Sequence, residues 1–180
     1  MELLELPIAG LLLIKPKIFQ DARGYFMESF NEKLQSALQC SFVQDNESCS
    51  ARGVIRGLHF QLPPYEQGKL VRVVRGAAYD VAVDLRVGSS TFGKYHAEIL
   101  TAQNHHIFWI PPGFAHGFAA LEPDTLLLYK VTQIYHAPSD ACIRWNDSDL
   151  AIPWPVSQPL VSEKDAHGMA FSQFKSPFKM

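Results

Sequence analysis

Apolar residues along the chain recur mostly with a period of two, the spacing of a strand that turns one face to a core. Segments of this kind run from Leu11 to Phe19, Tyr25 to Phe30, Ser41 to Gln44, Val54 to Phe60, Lys69 to Val74 and Ala77 to Leu85. Four more follow, from Lys94 to Leu100, His106 to Ile110, Phe114 to Leu121 and Thr125 to Ile134. Pro16 offers no N–H to a ladder and makes the first segment an edge or bent strand. Turn chemistry separates the others at Asp21–Gly24, Pro63-Pro64, Arg75-Gly76, Gly88-Ser89-Ser90, Pro111-Pro112-Gly113 and Glu122-Pro123-Asp124. Helical spacing is confined to Asn31–Leu38, where Asn31 stands at an N-cap position ahead of Leu34, Ala37 and Leu38. The pattern therefore predicts an all-β fold, an antiparallel sandwich or barrel of jelly-roll type with one short helix, and argues against a parallel α/β sheet. Beyond Trp145 the prolines Pro153, Pro155 and Pro159 mark an irregular C-terminal segment.

The length of 180 residues fits one domain, 1–180, able to bury about 70% of the surface its unfolded form exposes. Apolar residues make up 47% and charged residues 19%, which is no composition for disorder. A net charge of -2 argues against a nucleic-acid partner, whose binding face needs a broad excess of Lys and Arg. Cys40, Cys49 and Cys142 form no Cys-x-x-Cys, so they read as buried thiols of a reducing cytosol rather than a disulfide or zinc framework. The start, Met1-Glu-Leu-Leu-Glu-Leu6, is acidic where a secretory signal is basic, and no run of about 18 apolar residues occurs. A cytoplasmic protein with no membrane span is expected.

Against this apolar background, Arg56, His59 and Lys69 stand in strand-like sequence, where a buried cation must be paired or hydrogen-bonded. His59 is a natural general base near neutral pH, or else a core histidine bonded to a carbonyl. Lys69 could stabilise an oxyanion, or sit at an exposed strand edge. Tyr129, in the apolar run Thr125–Thr132, is a core phenol or a general acid. Glu28 lies on one face between Phe26 and Phe30. Asp80 and Asp84 read with Arg86 as an Asp–Arg pair across a strand, and His105 and His106 as exposed turn residues. Ile110-Pro-Pro-Gly113-Phe-Ala-His116-Gly-Phe118 is similar to the second cupin motif, in which a His points into a barrel, often at a metal. Where a cupin metal would take a second His after His59, this chain has Gln61, so no metal is expected.

Taken in order, a longer set of motifs resembles the dTDP-4-dehydrorhamnose 3,5-epimerase family. They are Asp21-x-Arg23-Gly24-x-Phe26-x-Glu28, Phe42-Val-Gln44-Asp45-Asn46-x-Ser48, Val54-x-Arg56-Gly57-Leu58-His59-Phe60-Gln61 and Gln67-Gly-Lys69-Leu70-Val71. Asp80-Val-x-Val-Asp84-x-Arg86, Thr91-Phe-Gly93, Leu128-Tyr129-Lys130, Ile143-x-Trp145-Asn146-Asp147, Trp154-Pro155 and Ser162-x-Lys164-Asp165 continue it. The resemblance implies a cupin-like jelly roll, a homodimer, and a barrel that binds a dTDP-4-dehydro-6-deoxy sugar with neither metal nor cofactor. It implies His59 as base, Asp165 as its dyad partner, Tyr129 as opposing acid and Lys69 beside the C4 oxygen. Arg23, Glu28, Gln44, Asn46, Arg56, His116, Tyr135 and Lys164 fall on positions that line the nucleotide-sugar site. Asp140 stands where the family usually has Glu, one methylene longer, so an adjusted or water-mediated contact is expected there. A relative that inverts only C3 or only C5, and a catalytically silent nucleotide-sugar binding protein, remain as alternatives.

Overall fold

The computed structural model describes residues 1–180. The chain opens with an antiparallel pair, β1 (Glu2–Glu5) and β2 (Leu12–Lys15), and a detached hairpin of β3 (Ile18–Asp21) and β4 (Gly24–Met27). Helix α1 (Glu32–Ala37) follows, its first turn capped by Asn31, whose side-chain oxygen accepts the Leu34 N–H at 3.0 Å. The body is built by β5 (Gln44–Ser50), β6 (Ile55–Gln61), β7 (Lys69–Arg75), β8 (Ala77–Asp84) and β9 (Tyr95–Thr101). It is completed by β10 (Ile107–Ile110), β11 (Phe114–Ala120), β12 (Thr125–Val131) and β13 (Asp140–Cys142), with a four-residue helix α2 (Glu163–Ala166) near the end. A six-stranded sheet, ordered β1-β2-β10-β7-β12-β5, faces a five-stranded one, ordered β13-β6-β11-β8-β9. This is the expected all-β sandwich, and no helix is long and apolar enough to cross a membrane.

Strand alternation sorts the apolar residues into three layers. Leu13, Val71, Val73, Phe108 and Leu127 of the first sheet meet Ala78, Ala82, Phe114 and Phe118 of the second in the interior. The outer face of the first sheet, with Ile14, Leu70, Ile107 and Trp109, is covered by Leu34 and Leu38, the apolar stripe of α1 and its C-cap. The outer face of the second, with Leu58, Phe60, Val81, Val83 and Ala115, is covered by Ile143, Leu150 and Phe178. The irregular C-terminal segment is thus a third layer, pinned by the bridges Val54–Leu160, Ile143–Met169 and Val87–Lys179.

Some expected boundaries move, each for a reason. The strand expected at Ser41–Gln44 begins only at Gln44 and continues to Ser50, because its inward row, Gln44, Asn46, Ser48 and Ser50, is polar and shows no apolar alternation. The segments Leu11–Phe19 and Tyr25–Phe30 are broken at Pro16 and after Met27, and β12 ends at Val131 rather than Ile134. Strands β1 and β13 and helix α2 are additions. His105 and His106 are half-buried rather than exposed, since the β3–β4 hairpin folds back and lays Tyr25 against His105, 4.4 Å between ring centres.

The pairing of β6 with β11 contains a bulge: His59 stands opposite His116 but Arg56 opposite Phe118, three residues against two. The extra residue turns Arg56 and His59, which strict alternation would separate, toward the same interior face. Gly57 makes this possible. A Cβ there would lie 2.5 Å from Gly117 Cα and 2.7 Å from the His116 carbonyl oxygen, at a φ of +119°. Gly57→Ala is therefore expected to cost about 2–3 kcal/mol in urea unfolding. Gly24→Ala, at φ +127° with nothing within 4 Å, should cost only about 1 kcal/mol. Equal losses would show that backbone conformation alone, and not the approach of β11, is responsible.

Candidate active site

At one end of the sandwich the inward row changes from apolar to polar and encloses a cavity of about 460 Å³. His59 and Gln61 of β6 form one wall and Gln44, Asn46, Lys69 and Tyr129 of β5, β7 and β12 the other, with Tyr135, Asp140 and Lys164 at the rim.

On the first wall, His59 Nε2 lies 2.5 Å from Asp165 Oδ1. The separation of 106 positions between them is closed by α2, whose N-cap Ser162 accepts the Asp165 N–H at 3.1 Å and turns the carboxylate inward. The imidazole is 31% exposed and the carboxylate 4%. Burial pushes the Asp165 carboxyl up, but hydrogen bonds from His59 and the Gly57 N–H outweigh it and hold it below its usual range. With Nε2 turned to an anion, Nδ1 is the ring nitrogen left for proton transfer.

The opposite wall carries the phenol and the ammonium. Asn46, Tyr129 and Val71 form one cross-strand row, and Gln44, Val131 and Lys69 the next. Burial raises the Tyr129 pKa against the pull of Arg56, which keeps the phenol protonated and able to donate. Lys69 is only 7% exposed, and Nζ donates to the His59 carbonyl oxygen at 3.3 Å. Burial lowers its pKa to about 8, while the Asp80 and Asp140 carboxylates oppose the shift. The imidazole and the phenol thus come from facing sheets, with a lysine beside the imidazole.

The remaining expected residues divide into two groups. Gln44 Nε2 donates to Asn46 Oδ1 at 2.8 Å, and Gln44 Oε1 accepts the Tyr135 N–H at 3.0 Å. Asp140 accepts the Tyr135 hydroxyl at 3.1 Å and a second, short hydrogen bond from Lys164 Nζ, so the shorter acid reaches both partners directly. Arg56 is held at the β5 side by Ser50 Oγ at 3.1 Å and the Cys49 carbonyl at 3.2 Å. His116 is buried behind this surface, and Asp80 accepts its Nε2–H at 2.9 Å. Arg23 and Glu28 are not at the cavity. Arg23 pairs with Asp21 at 2.6 Å at the exposed tip of the β3–β4 hairpin, and Glu28 accepts from Asn31 at 2.7 Å.

Several residues of the site carry no local sequence signal. The expected Asp–Arg pair holds for Asp84, 2.8 Å from Arg86, but Asp80 belongs to His116. Gln61 has its amide engaged by three backbone groups, the Tyr65 and Ile134 carbonyls at 2.6 and 3.2 Å and the His136 N–H at 2.8 Å. It fixes the loop that presents Tyr135. Cys142 stands next to the dyad, and burial together with the Asp165 carboxylate pushes its thiol up to about 12.

Comparison with known proteins identifies the architecture. Residues 5–173 match the family model described as dTDP-4-dehydrorhamnose 3,5-epimerase. The chain is 48% identical over 174 residues to the dTDP-4-dehydrorhamnose 3,5-epimerase of Shigella flexneri, covering 95% of this chain and 96% of that protein. Among solved structures, the dTDP-6-deoxy-D-glucose-3,5-epimerase of Legionella pneumophila, in complex with dTDP-4-keto-L-rhamnose, superposes with a TM-score of 0.92 at 44% identity, covering 97% of this chain and 94% of that one. A 3'-monoepimerase from Streptomyces bikiniensis in complex with dTDP-quinovose gives 0.89 at 32% identity, covering 94% and 87%. Matched over nearly its whole length in sequence and in fold, the chain belongs to the dTDP-4-dehydrorhamnose 3,5-epimerase family.

Proposed function

We infer that the chain is an isomerase that inverts C3 and C5 of dTDP-4-dehydro-6-deoxy-D-glucose, giving dTDP-4-dehydro-L-rhamnose for dTDP-L-rhamnose biosynthesis. The observation that carries this reading is the placement of the His59–Asp165 dyad on one wall and Tyr129 on the other, with Lys69 at the same cavity. Both carbons flank the C4 ketone, so removing either proton gives an enolate with its charge on the C4 oxygen. His59 Nδ1 takes the proton, and Asp165 stabilises the imidazolium that forms. Lys69 stabilises the charge on oxygen, an interaction stronger in the transition state than in the ketone. Tyr129 then delivers its proton to the opposite face of the carbon, which inverts it. Solvent returns the proton to the phenol and removes the one on His59, after which the second centre follows.

Gln44, Asn46, Tyr135, Asp140 and Lys164 surround the nucleotide sugar in this scheme, with Arg56 toward the diphosphate. We place Arg23 and Glu28 there through a homodimer. Their hairpin is detached from both sheets and exposes Phe19, Tyr25 and Phe26, and a second copy would bring it to the mouth of the cavity. A cytoplasmic location belongs to the same reading, in keeping with three free thiols.

Turnover in D2O tests the chemistry. The product is expected to carry deuterium at both C3 and C5. In Tyr129→Phe, exchange should survive while inversion is lost, because abstraction needs only the base. Deuterium at one carbon alone would favour a monoepimerase, the activity of the Streptomyces bikiniensis protein that shares this fold. If Tyr129→Phe inverts both centres at the normal rate, the donor is another group.

A further inference from the structure

Cys142 has no part in the reaction above, yet β13 pairs it directly opposite His59, on the same face of the sheet. Its Sγ lies 3.8 Å from the Asp165 Oδ1 that holds the imidazole. One ligand atom from each of His59, Cys142 and Asp165 falls within 4.8 Å of the others. An imidazole nitrogen, a thiolate and a carboxylate are donors that Zn2+ accepts, with a fourth position left for water. Bonds of about 2.0–2.3 Å at tetrahedral angles put such ligands about 3.4–3.6 Å apart. The Cys142–Asp165 spacing is close to that, the His59–Asp165 contact opens from 2.5 Å as an ion replaces the shared proton, and His59 and Cys142, within 4.8 Å, close on the ion.

We propose that His59, Cys142 and Asp165 form an inhibitory Zn2+ site that switches the enzyme off by occupying its base. The effect on turnover rests on the function proposed above; the binding does not. This is not a cupin position, which would use His59 together with His116, whose Nε2 is engaged by Asp80. A neutral imidazole holds one ring proton. With Zn2+ on Nε2 that proton resides on Nδ1, and the ring cannot accept another from the sugar. Asp165 binds as the carboxylate it already is, and Cys142 gives its thiol proton to solvent, so one proton is released per ion. The partly exposed face of His59 leaves the fourth position open to the cavity.

The test uses the full chain after chelator treatment, titrated with Co2+ as a spectroscopic substitute for Zn2+ while turnover is followed separately with Zn2+. One equivalent of Co2+ should give a thiolate-to-cobalt absorption band that Zn2+ abolishes, and Zn2+ should stop turnover reversibly. Cys142→Ala should keep metal-free turnover within about twofold, lack the band, and need about tenfold or more Zn2+ for half inhibition. Cys142→Ser gives the same readout in a near-isosteric side chain. No thiolate band in the unmodified protein, or equal Zn2+ sensitivity in it and both variants, overturns the proposal. If the protein turns over no dTDP-sugar, the cobalt titration still decides the site, so the two readings fail separately.

Discussion

His59→Ala is expected to lower kcat by about 10²–10⁴, a barrier increase of about 3–5 kcal/mol, while thymidine diphosphate binds almost as before. The size follows from the role proposed for the imidazole. Asp165 fixes the ring by Nε2, so Nδ1 is already oriented when substrate arrives, and the carboxylate favours the charged form that exists only after the proton has moved. Removing the ring takes away both effects. It leaves Arg56, the cation assigned to the diphosphate, unchanged, because its hydrogen bonds go to Ser50 and the Cys49 carbonyl and not to His59. Single-turnover rates and calorimetric dTDP affinity separate the two consequences. Near-normal turnover, or an equal loss of binding and rate, would remove His59 from the role of base.

The sequence reveals this site unevenly, and the unevenness has physical causes. Strands β7, β8, β11 and β12 are plain in the sequence because apolar residues fill one or both of their faces. Strand β5 is not, since its inner face lines a polar cavity and loses the alternation by which a strand is found. The same is true of chemistry. His59, Lys69 and Tyr129 attract notice as polar groups in apolar runs, a signal that each carries alone. Asp165 lies 106 residues from its partner on a helix of four residues, too short to show a period, and only the family resemblance pointed to it. Asp80 was legible as a charge on a strand but not as the partner of His116, because the pairing depends on which strands become neighbours. Arg56 shows the converse. Its face is set by a one-residue bulge that alternation cannot anticipate.

Lys69→Met is expected to lower kcat by about 10²–10³, the loss seen when one donor to a developing oxyanion is removed. Methionine keeps a stem of similar length, so filling of the inner face of β7 survives while the ammonium goes. Because a buried cation is costly to desolvate, thermal unfolding should be unchanged or slightly improved, which separates a catalytic loss from a folding defect. The pH profile gives a second and independent readout. Burial brings the Lys69 pKa down to about 8, and the ammonium is the form below that value. In the unmodified protein kcat/KM should therefore fall as pH rises through about 8, as the charge proposed to stabilise the enolate oxygen is lost. The variant should lack this alkaline limb and retain its low activity there. An identical limb in Lys69→Met would assign it to another group. A small effect on kcat would mean that the C4 oxygen is stabilised elsewhere in the cavity, with Lys69 left as a structural donor to the His59 carbonyl.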